Sequence, residues 1–153
     1  MDRFANTKFL NNKDEEVEPE TLNNVELIGL MFGGYWCEET RNFISEKLTE
    51  LYTYINTPSD SNQIDESNLK FQVIYVNNDQ NNEVFDRFRQ QMPWVALKFN
   101  EQTLCYELRQ DYEINTMPKL VIIKPDGTLV TKDGRNDILN QYDTAYISWG
   151  GSP

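Results

Sequence analysis

One short segment, Cys37-Glu38-Glu39-Thr40, carries the residue types that could do chemistry. It follows an apolar run that ends at Gly33-Gly34 and opens a stretch in which apolar residues recur at helical spacing. A thiol at the start of a helix lies beside free backbone amides, where the helix dipole favours the nucleophilic thiolate. Cys37 is therefore the candidate nucleophile, and Trp36 beside it is the candidate contact surface.

The neighbours of Cys37 limit this reactivity. The carboxylates of Glu38 and Glu39 disfavour a nearby thiolate, and Arg41 offsets them only in part. Thr40 has a hydroxyl, which cannot close a disulfide with Cys37. We therefore expect a weakly reactive thiol. The two glutamates could also be a paired-carboxylate acid–base site, but a solvated first helical turn explains them more simply, since acidic residues favour helix N-termini.

The composition restricts the classes of function. The 153 residues include 25 Asp and Glu, 14 Lys and Arg and no His, which gives a formal net charge of −11. Without histidine a Ser–His or Cys–His hydrolase is excluded, and two cysteines make no standard zinc site, so we expect no metal and no cofactor. The negative charge argues against nucleic acid and favours a protein partner with a basic surface. No apolar run is long enough for a membrane span.

Cysteine usage bears on the compartment. Two cysteines, with neither an apolar leader nor an Arg-rich presequence, favour a reducing, cytoplasmic location. The sequence does not distinguish the free cytoplasm from a cytoskeletal or ciliary assembly. Cys105 falls in a helical pattern and is expected to be a small, half-buried residue, with no bridge to Cys37 predicted.

Strands and helices alternate along the chain, which predicts an α/β fold. Apolar runs predict four strands, at residues 25–32, 71–76, 120–123 and 129–131. Apolar residues at helical spacing predict four helices, near residues 40–55, 84–88, 104–112 and 136–142. A Pro-Asp-Gly-Thr turn joins the last two strands, so this hairpin adds an antiparallel edge to a mostly parallel sheet.

The length predicts a single domain, with a polar, acidic N-terminal segment (residues 1–24) attached to the main part (residues 25–153). Within the segment, Phe9-Leu10 and Val17 flank a turn and predict a short hairpin of the same domain. The polar stretch 57–68 predicts an exposed loop, which is either a tolerated insertion or an added partner contact.

Four segments together carry a resemblance to a known family. They are Trp36-Cys37 after a buried strand, Met92-Pro93-Trp94 after the second helix, Met117-Pro118 before a strand, and Gly134-Arg135 before the last helix. In order and spacing they resemble the tryparedoxin and nucleoredoxin branch of the thioredoxin superfamily, over nearly the whole chain. The resemblance implies a thioredoxin fold, with a central mixed β-sheet flanked by helices. It also implies a cis peptide at Met117-Pro118 that faces the active site.

The chain departs from the family pattern at the motif itself. The family has Trp-Cys-Pro-Pro-Cys where this chain has Trp36-Cys37-Glu38-Glu39-Thr40. Thr40 therefore stands in place of the resolving cysteine, Cys37 remains as a residual nucleophile, and an intramolecular dithiol cycle is not expected. The resemblance implies a groove for a substrate or partner, called the Cys37 groove below, which is formed by Trp36, Glu38, Glu39, Met117 and Pro118.

Three functions follow, in decreasing order of support. The first is a thioredoxin-like module without dithiol activity that binds a protein, as a structural subunit of a larger assembly. The second is a monothiol thiol–disulfide oxidoreductase in which Cys37 forms mixed disulfides or accepts glutathione and an external thiol resolves them. A peroxidase is third, since no arrangement near Cys37 would activate a peroxide.

Overall fold

A computed structural model describes residues 2–153, which form one mixed sheet with helices on both faces. The strands are β1 (Phe9–Leu10), β2 (Glu16–Val17), β3 (Leu27–Gly33), β4 (Phe71–Asn77), β5 (Val95–Leu97), β6 (Lys119–Ile123) and β7 (Leu129–Thr131). The helices are α1 (Glu38–Phe43), α2 (Thr49–Asn56), α3 (Asn82–Arg89), α4 (Gln102–Asp111), α5 (Gly134–Gln141) and α6 (Asp143–Ser148). The predicted α/β class is confirmed.

The seven strands are ordered β2-β1-β5-β4-β3-β6-β7. At the centre, β3 runs parallel to β4, with Leu30 opposite Ile74, and antiparallel to β6, with Leu30 opposite Val121. β4 in turn runs parallel to β5. Every residue of β3 and β4 is buried, because helices cover both faces of the sheet. The three parallel strands bring their carboxyl ends to one edge and their amino ends to the other.

Two hydrophobic clusters fill the space on either face of the sheet. Successive strand residues point to opposite faces, so Val73 and Tyr75 belong to one cluster and Ile74 and Val76 to the other. The first cluster packs against α2, α3 and α6, and the second against α4 and the N-terminal segment. The apolar runs in the sequence are thus buried from both sides.

A continuous helix follows Cys37. It begins with α1, passes through a π-helical turn at Ile44–Leu48, and continues as α2, with helical backbone angles at each junction. The sequence pattern predicts this helix from residue 40, two residues late. The first turn is polar, so the apolar spacing does not show it.

Two elements escape the sequence pattern. β5 has only three residues and follows Pro93 directly, which is too short for a visible strand periodicity. α6 continues the chain after α5 across Tyr142, whose φ of 50° separates the two helices without the Gly or Pro that normally marks such a break. Cys105 is also fully buried, not half-buried as predicted, because its helix packs that face on the sheet.

The N-terminal segment joins the main sheet. β1 and β2 form a hairpin, and β1 pairs antiparallel with β5, so the segment extends the same sheet. Residues 57–70 form no helix or strand between α2 and β4. Across residues 2–153, none of the helices has the length and apolar character that crossing a bilayer requires.

Candidate functional site

The candidate site lies at the sheet edge formed by the carboxyl ends of β3 and β4. Gly33 and Asn77 are paired at this edge, and the backbone N–H of Asn78 donates to the Gly33 carbonyl oxygen at 2.8 Å. The start of the loop after β4 is therefore hydrogen-bonded to the end of β3. In open α/β sheets, loops that follow adjacent parallel strands are the usual position of ligand sites.

Cys37 is the residue that caps α1, and it is a half-buried free thiol. Its backbone N–H donates to the Gly34 carbonyl oxygen at 3.1 Å, and its own carbonyl accepts from the Arg41 N–H at 3.1 Å. Its Sγ lies 3.8 Å from the carbonyl oxygen of Met117. The Met117-Pro118 peptide is cis. The structure thus places the thiol directly against the segment that the family resemblance puts opposite it.

Thr40 is a packing residue. Its side chain is fully buried, and its hydroxyl has no hydrogen-bond partner among the described residues. It covers Gly33 so closely that a Cβ at that position would lie 2.5 Å from the Thr40 Cγ2. The position of the family's resolving cysteine is therefore occupied by a group that offers no thiol and contacts the end of β3.

The charged neighbours of Cys37 have partners of their own. Glu38 is exposed, and the Glu39 carboxylate pairs with the Arg135 guanidinium at 3.4 Å. Arg41 donates to the Tyr35 carbonyl oxygen at 2.5 Å and lies over the Tyr35 ring, 5.0 Å from its centroid. Arg41 therefore holds the loop before Cys37 as well as adding positive charge near it.

Two aromatic residues form an exposed surface beside Cys37. Trp36 is 51% exposed, and its indole N–H donates to the Asn78 carbonyl oxygen at 2.9 Å. Tyr35 is 43% exposed and packs edge-on against Phe88. By contrast Trp94 is buried in the core. A large apolar ring held open to solvent by a hydrogen bond is suited to contact with a ligand.

Asp79 is a site residue that the sequence pattern misses. One carboxylate oxygen accepts the Tyr35 backbone N–H at 2.7 Å, and the other accepts the Tyr75 hydroxyl at 2.6 Å. Burial raises the pKa of Asp79, although both hydrogen bonds oppose the increase. Burial, and then Asp79, raises the pKa of Tyr75. The sequence signal that could have identified Asp79 is its position, because it follows a buried strand that runs parallel to the strand before Cys37.

A depression of about 340 Å³ adjoins the cis peptide. Glu39, Met117 and Pro118 of the predicted groove line it, whereas Trp36 and Glu38 do not. Three cationic side chains also line it: Lys119, Lys132 and Arg135. The sequence marks Arg135 only as a family landmark, since its approach to Glu39 joins segments 96 residues apart.

Cys105 differs from Cys37 in being fully buried. Burial raises the pKa of Cys105 to about 11, so at neutral pH it stays a protonated, inert thiol. Both cysteines are free. Within residues 2–153, no three Cys, Asp or Glu side chains come together in a way that could hold a metal ion.

Comparison with known sequences identifies a thioredoxin-like family model and nucleoredoxin relatives. A family model described as thioredoxin-like matches residues 24–129. Nucleoredoxin of Xenopus laevis is 28% identical over 145 residues, covering 95% of this chain and 32% of that protein. Probable nucleoredoxin 3 of Oryza sativa subsp. japonica is 34% identical over 119 residues, covering 78% of this chain and 23% of that protein. The chain spans a third or less of the length of these two relatives.

Solved structures share the fold. Tryparedoxin from Trypanosoma brucei superposes with a TM-score of 0.78 at 25% identity, covering 95% of this chain and 92% of that one. Tryparedoxin I from Leishmania major gives 0.79 at 19% identity, covering 97% and 94%, a likeness of fold alone. These comparisons agree with the central mixed sheet and with the cysteine at the start of α1. This chain belongs to the thioredoxin-like family, and within the thioredoxin superfamily it is of the tryparedoxin and nucleoredoxin type.

Proposed function

We propose that this chain is a protein-binding module that holds an extended segment of a partner in the Cys37 groove and does not run a dithiol cycle. The observation that carries the proposal is the contrast between Cys37 and Thr40. Cys37 faces the cis peptide at Met117, whereas Thr40 is fully buried against Gly33 and has no thiol. A cysteine beside the cis peptide with no resolving thiol at residue 40 supports binding over a dithiol cycle, even though the relatives imply a redox-related function.

The groove is preorganised, which supports binding. The Trp36 indole is fixed by Asn78, and the Tyr35 backbone is fixed by Asp79 and Arg41. A surface that is already ordered loses little conformational entropy when a partner binds. Binding at this surface needs no covalent step at Cys37.

The charge supports a partner with a basic surface. The net charge of −11 attracts such a partner and increases its association rate at low ionic strength. Glu38, which is an exposed residue of the predicted groove, adds local negative charge. We further propose that the module acts as a structural subunit of an assembly in a reducing, cytoplasmic compartment, where both cysteines stay reduced.

Site-specific photocrosslinking tests the groove. The photoreactive amino acid p-benzoylphenylalanine is placed at Trp36, and in a matched chain at Tyr54, which is equally aromatic, 67% exposed and located in α2. We expect a discrete crosslinked protein from position 36 only, and the same product when Cys37→Ser is added. Equal crosslinking from both positions would contradict a specific groove.

A second candidate function is monothiol exchange, and the cationic depression favours it. Lys119, Lys132 and Arg135 lie beside the cis peptide, where they suit the carboxylates of glutathione. The Cys37 thiolate would attack a glutathionylated protein, form a Cys37–glutathione disulfide and release the protein thiolate. A glutathione thiolate would then attack that disulfide, release Cys37 and leave as glutathione disulfide.

Intact-mass analysis separates the two functions. The chain is mixed with glutathione disulfide, and adduct formation is followed for the wild type, Cys37→Ser and Cys105→Ser. Binding without redox chemistry predicts a slow adduct, or none, in all three. A fast adduct that needs Cys37, does not need Cys105 and is reversed by glutathione would establish monothiol exchange instead.

A further inference from the structure

Gly34 lies directly under the Trp36 side chain. It is buried, although the next two residues, Tyr35 and Trp36, are exposed. A Cβ atom at residue 34 would overlap the Trp36 Nε1 and would lie 2.8 Å from the Trp36 Cδ1. Non-bonded heavy atoms in proteins pack at about 3.5–4.0 Å, so both contacts are too close. The Trp36 indole therefore occupies the space that any side chain at residue 34 would need.

A hydrogen bond explains why the indole lies there. Its N–H donates to the Asn78 carbonyl oxygen at 2.9 Å, and a Cβ at residue 34 would lie 3.1 Å from that same oxygen. The indole thus reaches its acceptor across Gly34. Because the indole N–H is used inside the chain, the exposed part of Trp36 that is left for a partner is the apolar ring.

The backbone around Gly34 is held by other groups. The Gly34 carbonyl oxygen accepts the Cys37 N–H at 3.1 Å, and the Tyr35 N–H donates to the Asp79 carboxylate at 2.7 Å. Gly34 itself has no positive φ, so an alanine can adopt its backbone conformation. A Cβ at residue 34 should therefore displace the Trp36 side chain and leave the backbone of the loop in place.

We infer that Gly34 is the positioning residue of the Cys37 groove. Because it has no side chain, the Trp36 indole can lie back on the Asn78 carbonyl, and this fixes the direction of the exposed ring next to Cys37. The consequence for binding rests on the proposed function, in which Trp36 is part of the groove. A side chain at residue 34 should release the ring, and a partner would then have to order it again on binding.

Hydrogen exchange of the indole N–H groups tests this position of Trp36 without a partner. The chain has three tryptophans, whose signals are assigned with Trp36→Phe and Trp149→Phe. In Gly34→Ala the Trp36 indole N–H should exchange about fivefold or more faster, because it loses its acceptor. The Trp149 indole N–H, which donates to Asp137 at 2.9 Å, is the internal reference and should keep its rate. An unchanged Trp36 rate would overturn the inference.

Melting temperatures of four chains separate the Trp36 contact from a general disturbance of the loop. Gly34→Ala should lower the melting temperature of the wild type by roughly 2–4 °C, because one ordinary hydrogen bond is lost. In a Trp36→Ala background the same substitution should leave it unchanged or raise it, because the overlapping atoms are absent and alanine restricts the unfolded chain.

The two backgrounds also cover the case in which Gly34→Ala alone does not fold. Recovery of folding in Gly34→Ala/Trp36→Ala would then support the same contact, since only the indole has been removed. An equal loss of melting temperature in both backgrounds would place the clash at the loop backbone and would overturn the inference.

Photocrosslinking measures the consequence for the groove. The photoreactive p-benzoylphenylalanine replaces Glu38, an exposed residue of the predicted groove, so that Trp36 is retained. Gly34→Ala should reduce the yield of a discrete product about fivefold or more, and it should have no further effect in a Trp36→Ala background. Equal yields with and without Gly34→Ala would contradict the positioning role. The absence of a product from every chain would instead contradict the proposed function, whereas exchange and melting still decide the position of Trp36.

Discussion

Cys37 and Thr40 are three residues apart and have different surroundings. Cys37 lies at the N-terminal end of α1, open to the Cys37 groove. Thr40 lies one turn further along α1, against the end of β3. The Thr40 hydroxyl makes no hydrogen bond with a described residue, so its contribution is its volume. A change at this position should alter the chemistry of the motif without altering the fold.

Thr40→Cys should therefore introduce dithiol activity. A second thiol one turn after Cys37 could attack a mixed disulfide at Cys37 and release the product. With dithiothreitol as reductant, we expect insulin reduction about tenfold or more above the wild-type rate, and the gain should vanish in Cys37→Ser/Thr40→Cys. Robust insulin reduction by the wild type would contradict the proposed absence of a dithiol cycle.

The residues that chemistry singles out were visible in the sequence, and their supporting contacts were not. Cys37 and Trp36 stand out because a thiol and a large ring follow a buried strand. Asp79 and Arg135 do not stand out, because their roles depend on contacts with Tyr35 and Glu39, which are distant in sequence. Only the parallel pairing of β3 and β4 brings Asp79 under the Cys37 loop.

Asp79→Asn should change how stability depends on pH. Burial raises the pKa of Asp79 above its usual 3.8, so the folded chain holds this proton more tightly than the unfolded chain. The carboxyl's stabilising contribution is thus fully present below pH 3.8 and is lost as the pH rises through the raised pKa. Asparagine keeps an oxygen for the Tyr35 N–H and does not ionise.

Urea denaturation of both proteins between about pH 4 and pH 7 measures this effect. The free energy of unfolding of Asp79→Asn, relative to wild type, should rise with pH over that interval. A difference that stays constant with pH would show that burial does not dominate at Asp79. A difference that falls as the pH rises would mean that the two hydrogen bonds to Asp79 outweigh burial.

At the scale of elements, the long and strongly apolar segments were predictable and the short ones were not. β3 and β4 are runs of seven buried residues, which the sequence displays directly. β5 has three residues and depends on β4 and β1 for its pairing. α6 follows Tyr142, whose positive φ breaks the helix at a residue type that does not signal a break. Local pattern therefore fails where tertiary contacts hold an element in place.

The N-terminal hairpin is such an element, and Arg89 is its main polar anchor. We expect Arg89→Met to lower the free energy of unfolding by about 1–3 kcal/mol, because it leaves the Asn11 carbonyl without its buried donor. Methionine keeps the apolar part of the side chain, so the loss reports the hydrogen bonds. Hydrogen exchange at the Glu15 amide, which bonds to Asn11 in the turn, should also accelerate.

Arg87→Met is the matched control, in the same helix. Arg87 is exposed and pairs only with Glu83 among the described residues, so its loss should cost less than about 0.5 kcal/mol.

A second check on the Arg89 anchor uses pH. Arg89 holds the pKa of Asp14 below its usual 3.8, so this pairing stabilises the fold above pH 3.8 and is lost as pH falls through the lowered pKa. The difference in the free energy of unfolding between Arg89→Met and wild type should therefore become smaller in acid. Equal losses of unfolding free energy in Arg89→Met and Arg87→Met would contradict the role of Arg89 as the anchor of the hairpin.

At the scale of the whole molecule, charge opposes the compact state. The 25 acidic and 14 basic residues leave a net charge of −11, and many of the ion pairs are exposed. Exposed pairs contribute little, so repulsion among the unpaired carboxylates should dominate the electrostatic free energy of folding. The net negative charge thus reduces the stability of the chain.

Salt should therefore stabilise this protein. At about 0.01 M ionic strength the screening length is about 30 Å, and at about 0.1 M it falls to about 10 Å, so long-range repulsion is largely removed. We expect the melting temperature to rise by roughly 2–4 °C across that range at neutral pH, which corresponds to about 1 kcal/mol for a chain of this size. Sodium chloride and choline chloride should act equally, because screening does not depend on the identity of the cation. A fall in melting temperature would show that the surface ion pairs outweigh the net repulsion, and an effect of sodium alone would point to a bound cation.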